Sequence, residues 1–130
     1  MPKKNVNLFV SIPCYIAALL LIDFSIFKFN LGSLNNSFYL GFWQGPIAFI
    51  SVILVLILAV ALLVRSKSLP VLPKILISVG VVTNLIERAI FGGVVDYIPF
   101  FHLTVFNIAD VLITIGFMFV LLIIWGKEKK

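Results

Sequence analysis

Four apolar runs of roughly twenty residues, at about 6–27, 46–64, 71–89 and 104–125, constrain this chain more than any other feature. A helix rises 1.5 Å per residue, so each run is long enough to cross about 30 Å of hydrocarbon. In a chain of 130 residues that is 62% hydrophobic and 12% charged, little remains from which to build a soluble surface. The reading is therefore an all-α membrane protein, one domain over residues 1–130 with four spanning helices. A closed barrel is the other structure able to span a bilayer, and these continuous Leu, Ile, Val and Phe runs lack its alternation. The two longer connections, 28–45 and 90–103, are rich in turn and aromatic residues and are expected to form a small extended, β-like cap.

Charge sets the orientation. Lys3 and Lys4, then Arg65, Lys67 and Lys74, then Lys127, Lys129 and Lys130 fall at one level, with Lys28 and Arg88 at the other. Basic residues in short loops resist translocation, so both termini and the 65–74 loop are expected in the cytoplasm and the cap outside. The net charge of +5 is split among three segments without an aromatic ladder, which argues against nucleic acid and for lipid as the partner of the basic residues. Cys14, the single cysteine, cannot form an intrachain disulfide and reads as a small packing residue in the first run. No small-x-small cleavage site follows that run, so it reads as a permanent helix and not a cleaved leader.

On this map the acids gather at one depth. Asp23 closes the first run, Glu87 closes the third, Asp96 lies in the outer connection, and Asp110 falls about two turns into the fourth; only Glu128 sits elsewhere. An acid at mid-helix in a bilayer costs roughly 2.5–3.5 kcal/mol, so such residues are paired, protonated or kept for chemistry. Gly80, Asn84 and Glu87/Arg88 share one helical face, and Asn107, Asp110 and Thr114 share another. The expected result is a polar pocket at the outer membrane surface.

Each residue also has a plainer reading. Asn84 and Asn107 serve equally as interhelical hydrogen-bond glue. Arg88 either snorkels to headgroups or neutralises a carboxylate. Asp23 either ends its helix or pairs with Lys28 or Arg88. His102 reads as an interfacial residue, and the aromatic group Phe38, Tyr39, Phe42 and Trp43 as a belt at headgroup level or a flap over the pocket. With one histidine and no ligand cluster, no metal or other cofactor is expected. A small ion-coupled transporter remains an alternative, although its acids would sit nearer mid-span.

Three blocks in this order resemble the bacterial lipoprotein signal peptidases, the type II signal peptidase family. T-N-L-I-E-R at 83–88 is similar to the family's G-N-x-x-D-R, V-V-D-Y at 94–97 to V-V-D-F, and F-N-I-A-D at 106–110, which includes Ala109, to F-N-x-A-D. Asn35 with 38–45 resembles the outer block N-x-G-x-x-F, and Asp23 with Lys28 the end of the first span. Departures are Thr83 for glycine, Glu87 for aspartate, Ser37 for glycine, and one extra residue between Asp23 and Lys28; they bear on substrate fit more than on chemistry.

The resemblance implies an aspartic endopeptidase of the bacterial cytoplasmic membrane, acting as a monomer at the outer face on lipid-modified prolipoproteins. Asp96 and Asp110 would be the catalytic dyad, sharing one proton and activating water. Asn84, Arg88, Asn107, Ala109, Asn35 and Glu87 would support the dyad or bind substrate. A homologue that binds such precursors without cutting them is the second alternative.

Overall fold

The computed structural model of the chain describes residues 11–35 and 46–128. Four helices, α1 (Ile12–Lys28), α2 (Pro46–Arg65), α3 (Val71–Phe91) and α4 (Ile108–Glu128), are joined at one end by four short strands: β1 (Ser33–Asn35), β2 (Val94–Asp96), β3 (Ile98–Phe100) and β4 (Thr104–Phe106). The strands form two antiparallel ribbons. In the first, Ser33 faces Asp96 and Asn35 faces Val94. In the second, Ile98 faces Phe106 and Phe100 faces Thr104.

The helix ends follow from local chemistry. Proline opens α2, lies within the first turn of α1 at Pro13, and stands just before α3 at Pro70, positions where a missing N–H costs nothing. Helix α3 stops at Gly92, whose φ of 75° is left-handed and whose N–H returns to the Arg88 carbonyl at 3.1 Å. Among the described residues α4 is long and apolar enough to cross a membrane, with a mean hydropathy of 2.6 over its best window. Helix α3 is more polar because it is central: Ile75 and Val79 are buried against Leu19 of α1, with Ile12, Ile16, Ile108 and Leu112 around them. Glycines let α3 and α4 approach closely. A Cβ on Gly80 would lie 2.5 Å from the Ala109 carbonyl oxygen, and one on Gly116 would lie 2.5 Å from Ile77 Cγ1.

Several expectations change. Residues 104–107 are not the start of a helix: Thr104–Phe106 is β4, and α4 begins at Ile108. An apolar, β-branched stretch satisfies a strand and a helix equally well, and pairing with β3 decides. Asp110 is therefore in the first turn of α4, not two turns in. Cys14 is exposed on α1 and not packed between helices. Residues 6–10 of the first expected run, Ser37, and the aromatic group Phe38, Tyr39, Phe42 and Trp43 lie outside the described residues.

Lys74 also departs from a simple loop charge. It is 8% exposed, and its ammonium donates to the Val64 carbonyl at 3.3 Å and to the Ser66 carbonyl, capping the end of α2 from the first turn of α3. Lys74→Met keeps most of the stem but leaves those carbonyls without their charged donor. The expected cost is about 1–3 kcal/mol, read as a lower unfolding midpoint of the detergent-solubilised chain; an unchanged midpoint would show that the cap contributes nothing.

Candidate active site

The start of α4 fixes Asp110. The Asn107 side-chain oxygen accepts the Asp110 N–H at 2.8 Å, and the Asp110 carboxylate accepts the Asn107 N–H at 3.3 Å. This reciprocal arrangement is a capping box, with asparagine at the cap and an acid three residues on. Helix α3 adds a third member. Asn84 Nδ2 donates to Asp110 Oδ1 at 2.8 Å, and Asn107 Nδ2 donates to Asn84 Oδ1 at 2.8 Å. Both Asp110 oxygens thus accept N–H donors, and the Asn84–Asn107–Asp110 triangle ties α3 to α4. The two asparagines are interhelical glue and holders of the carboxylate at once.

Asp96 is held differently. It ends β2, which is paired with β1 more than sixty positions earlier, and Asn35 of β1 donates to Asp96 Oδ2 at 3.0 Å. Asp96 is 5% exposed, and its other oxygen, Oδ1, is buried with no donor among the described residues. Burial pushes its carboxyl up to about 6; the Asn35 hydrogen bond opposes this, the Asp110 charge adds to it, and the Arg88 guanidinium opposes it. The pair is unequal: Asp110 has two donors, whereas Asp96 keeps one oxygen uncommitted.

The other expected residues converge on the same end. Arg88 is half-buried in the field of Asp96, Asp110 and Glu87. Ala109 is fully buried, its carbonyl against Gly80. Glu87 is fully buried and accepts the Val95 N–H at 3.0 Å, which places it behind β2. Thr83, the other departure in that block, is fully buried as well. His102 is exposed at the β3–β4 turn with a φ of 60°.

Asp23 differs from both of its expected roles. It is fully buried and accepts the Tyr97 hydroxyl at 2.7 Å. Tyr97 in turn accepts the Ile108 N–H at 3.4 Å, so one phenol links α1, β2 and the first residue of α4. Burial, reinforced by Asp23, pushes the Tyr97 phenol above its usual range and keeps it a donor. In the sequence Tyr97 stands out only as the last letter of V-V-D-Y. Its sole signal was a hydroxyl-bearing aromatic directly after the acid of an otherwise apolar block.

A family described as signal peptidase (SPase) II matches residues 5–126. The chain belongs to the signal peptidase II family. Proteins named lipoprotein signal peptidase are similar to part of it: one from Halothermothrix orenii is 42% identical over 65 residues, 50% of this chain and 45% of the relative. One from Syntrophus aciditrophicus is 38% identical over 69 residues, 50% of this chain and 43% of the relative. The chain thus spans a little under half the length of these lipoprotein signal peptidase relatives. A solved bacterial membrane enzyme, determined by the in meso method, shares the fold with a TM-score of 0.67 at 18% identity, covering 91% of this chain and 89% of the other.

Proposed function

We propose that this member of the signal peptidase II family is an intramembrane aspartic endopeptidase that removes signal peptides from lipid-modified prolipoproteins, with Asp96 and Asp110 as its dyad. One observation carries the reading: a buried carboxyl oxygen with no donor among the described residues, Asp96 Oδ1, on a residue whose electrostatics include Asp110. The four helices span the bilayer with both termini in the cytoplasm, so the strands and the dyad sit at the outer surface. There the acyl chains of a diacylglyceryl-cysteine stay in lipid while the scissile peptide meets water.

Asp110 is the base. Its oxygens already accept N–H donors, yet each has a second lone pair for a water. Asp96 carries the pair's proton. Water attacks the scissile carbonyl as it loses a proton to Asp110, and Asp96 protonates the carbonyl oxygen. Collapse of the resulting diol returns that proton to Asp96, while Asp110 protonates the departing amine and the C–N bond breaks. Arg88 limits the repulsion of the two carboxyls, and Asn84 and Asn107 keep Asp110 aimed.

The deciding experiment incubates the purified chain in lipid with a diacylglyceryl-modified precursor. The expected product is a signal peptide released immediately before the modified cysteine. Binding without cleavage would instead support the non-cutting reading.

A pH profile adds a signed test. If Asp96 must hold a proton, cleavage declines as the pH rises through its titration near 6. Asn35 favours the charged form, so Asn35→Ala should move this alkaline limb to higher pH, together with a lower maximum from the loosened β1 contact. A limb that stays in place, or moves to lower pH, counts against Asp96 as the acid.

A further inference from the structure

Two carboxyls at the same end of the molecule are left unused by the dyad. Asp23, late in α1, and Glu87, late in α3, are both 0% exposed. Each has one oxygen supplied from the segment that carries Asp96. The Tyr97 hydroxyl donates to Asp23 Oδ1 at 2.7 Å, and the Val95 N–H donates to Glu87 Oε2 at 3.0 Å. The remaining oxygens, Asp23 Oδ2 and Glu87 Oε1, are buried and receive no donor from the described residues. The two carboxyls are themselves within hydrogen-bonding reach of each other.

Two ionised carboxylates so placed would repel in a medium that screens poorly, with an unsatisfied oxygen on each side. A single retained proton reverses the sign of the contact. It makes an O–H···O hydrogen bond and satisfies both orphan oxygens together. We propose that Asp23 and Glu87 share one proton, forming a clasp between the ends of α1 and α3 that seats β2 and so positions Asp96. Both are positioning residues: neither needs to touch substrate. Glu87 stands where the family resemblance has aspartate, and its longer side chain reaches the Val95 N–H and Asp23 together. Among the described residues, the titratable and charged groups facing the clasp are Tyr97 and Asp96 from the β2 segment and Arg88 from α3.

The clasp bears on cleavage only through the proposed role of Asp96, whereas its proton is detectable without substrate. The test is an infrared pH titration of the full chain in lipid nanodiscs, in an Asp96→Asn background that removes the dyad's own shared proton. A protonated-carboxyl C=O stretch is expected to persist at neutral pH and to bleach at alkaline pH, with a falling unfolding midpoint as two buried anions form. Adding Glu87→Gln should remove the band and the alkaline loss of stability together, because an amide N–H donates to Asp23 in place of the proton. Adding Asp23→Asn should do the same from the other side. Absence of the band in the Asp96→Asn chain, or its persistence undiminished in both double variants, overturns the proposal. If the double variants fail to fold, Glu87→Asp in the same background keeps the carboxyl but shortens its reach. It must then weaken the band and move its bleaching to lower pH, and an unchanged band is equally fatal. If the Asp96→Asn chain shows the clasp band while the parent chain cuts no precursor, the peptidase reading falls and the clasp stands.

Discussion

Asp96→Asn and Asp110→Asn are each expected to reduce cleavage of a lipid-modified precursor by roughly 10³-fold or more, since positioned acid–base groups contribute about 10²–10⁴-fold and the two here act as one unit. Their structural consequences differ. At position 96 an amide keeps the existing bond, because its oxygen can face the Asn35 donor, and its NH₂ displaces no donor found among the described residues. At position 110 both oxygens accept N–H groups, from Asn84 and from the Asn107 backbone. An amide has one acceptor atom, so one of those donors must lose its partner, at a cost of about 1–3 kcal/mol. Inactive variants are therefore expected at both positions, with an unfolding midpoint near that of the parent for Asp96→Asn and a lower one for Asp110→Asn. Cleavage assays and thermal unfolding on the same preparations check both statements. Near-parental turnover by either variant would end the dyad mechanism, and equal midpoints would mean that the Asp110 hydrogen bonds contribute little.

The same asymmetry explains how much of this molecule was legible beforehand. Helices α2 and α3 begin where apolar runs meet Pro46 and Pro70, since proline and hydrophobic length are local signals. The N-x-x-D spacing at 107–110 was visible as a block, and its capping role follows from the order of the residues alone. The β1–β2 pairing was not legible. It joins Ser33–Asn35 to Val94–Asp96 across a distance in sequence that no local pattern spans, and it alone delivers Asn35 to Asp96. The partner of Asp23 was missed for a related reason: charge pairing suggested Lys28 or Arg88, whereas a fully buried acid found a neutral phenol. Lys74 differs in the opposite direction: its position suggests a loop charge, whereas its amine closes the end of α2. The strands fall largely in the β-like cap expected from 28–45 and 90–103, but which strand pairs with which, and so what each polar residue bonds, is not fixed by any local pattern.

The second large effect concerns a residue with no polar group at all. Gly80→Ala would ordinarily stabilise a helix by about 1 kcal/mol. Here the new Cβ lies 2.5 Å from the Ala109 carbonyl oxygen and 2.6 Å from Ile113 Cγ1, and a backbone atom cannot swing aside. Overpacking costs typically about 1–3 kcal/mol, so destabilisation wins, and the relief available is to push the start of α4 away from α3. That movement acts directly on the residue after Ala109, which is Asp110, and stretches its bond to Asn84. A displacement near 1 Å at a reacting group costs on the order of 10²-fold in rate. Gly116→Ala provides the control. Its Cβ meets Ile77 Cγ1 at 2.5 Å and two backbone atoms at 3.2 Å, and it lies well down α4 from the cap. Both variants should unfold at lower temperature, but only Gly80→Ala should lose about 10²-fold in kcat measured on the folded fraction. If the two lose activity in equal proportion to stability, the α3–α4 contact serves the fold alone, and the aim of Asp110 does not depend on how closely the helices approach at Gly80.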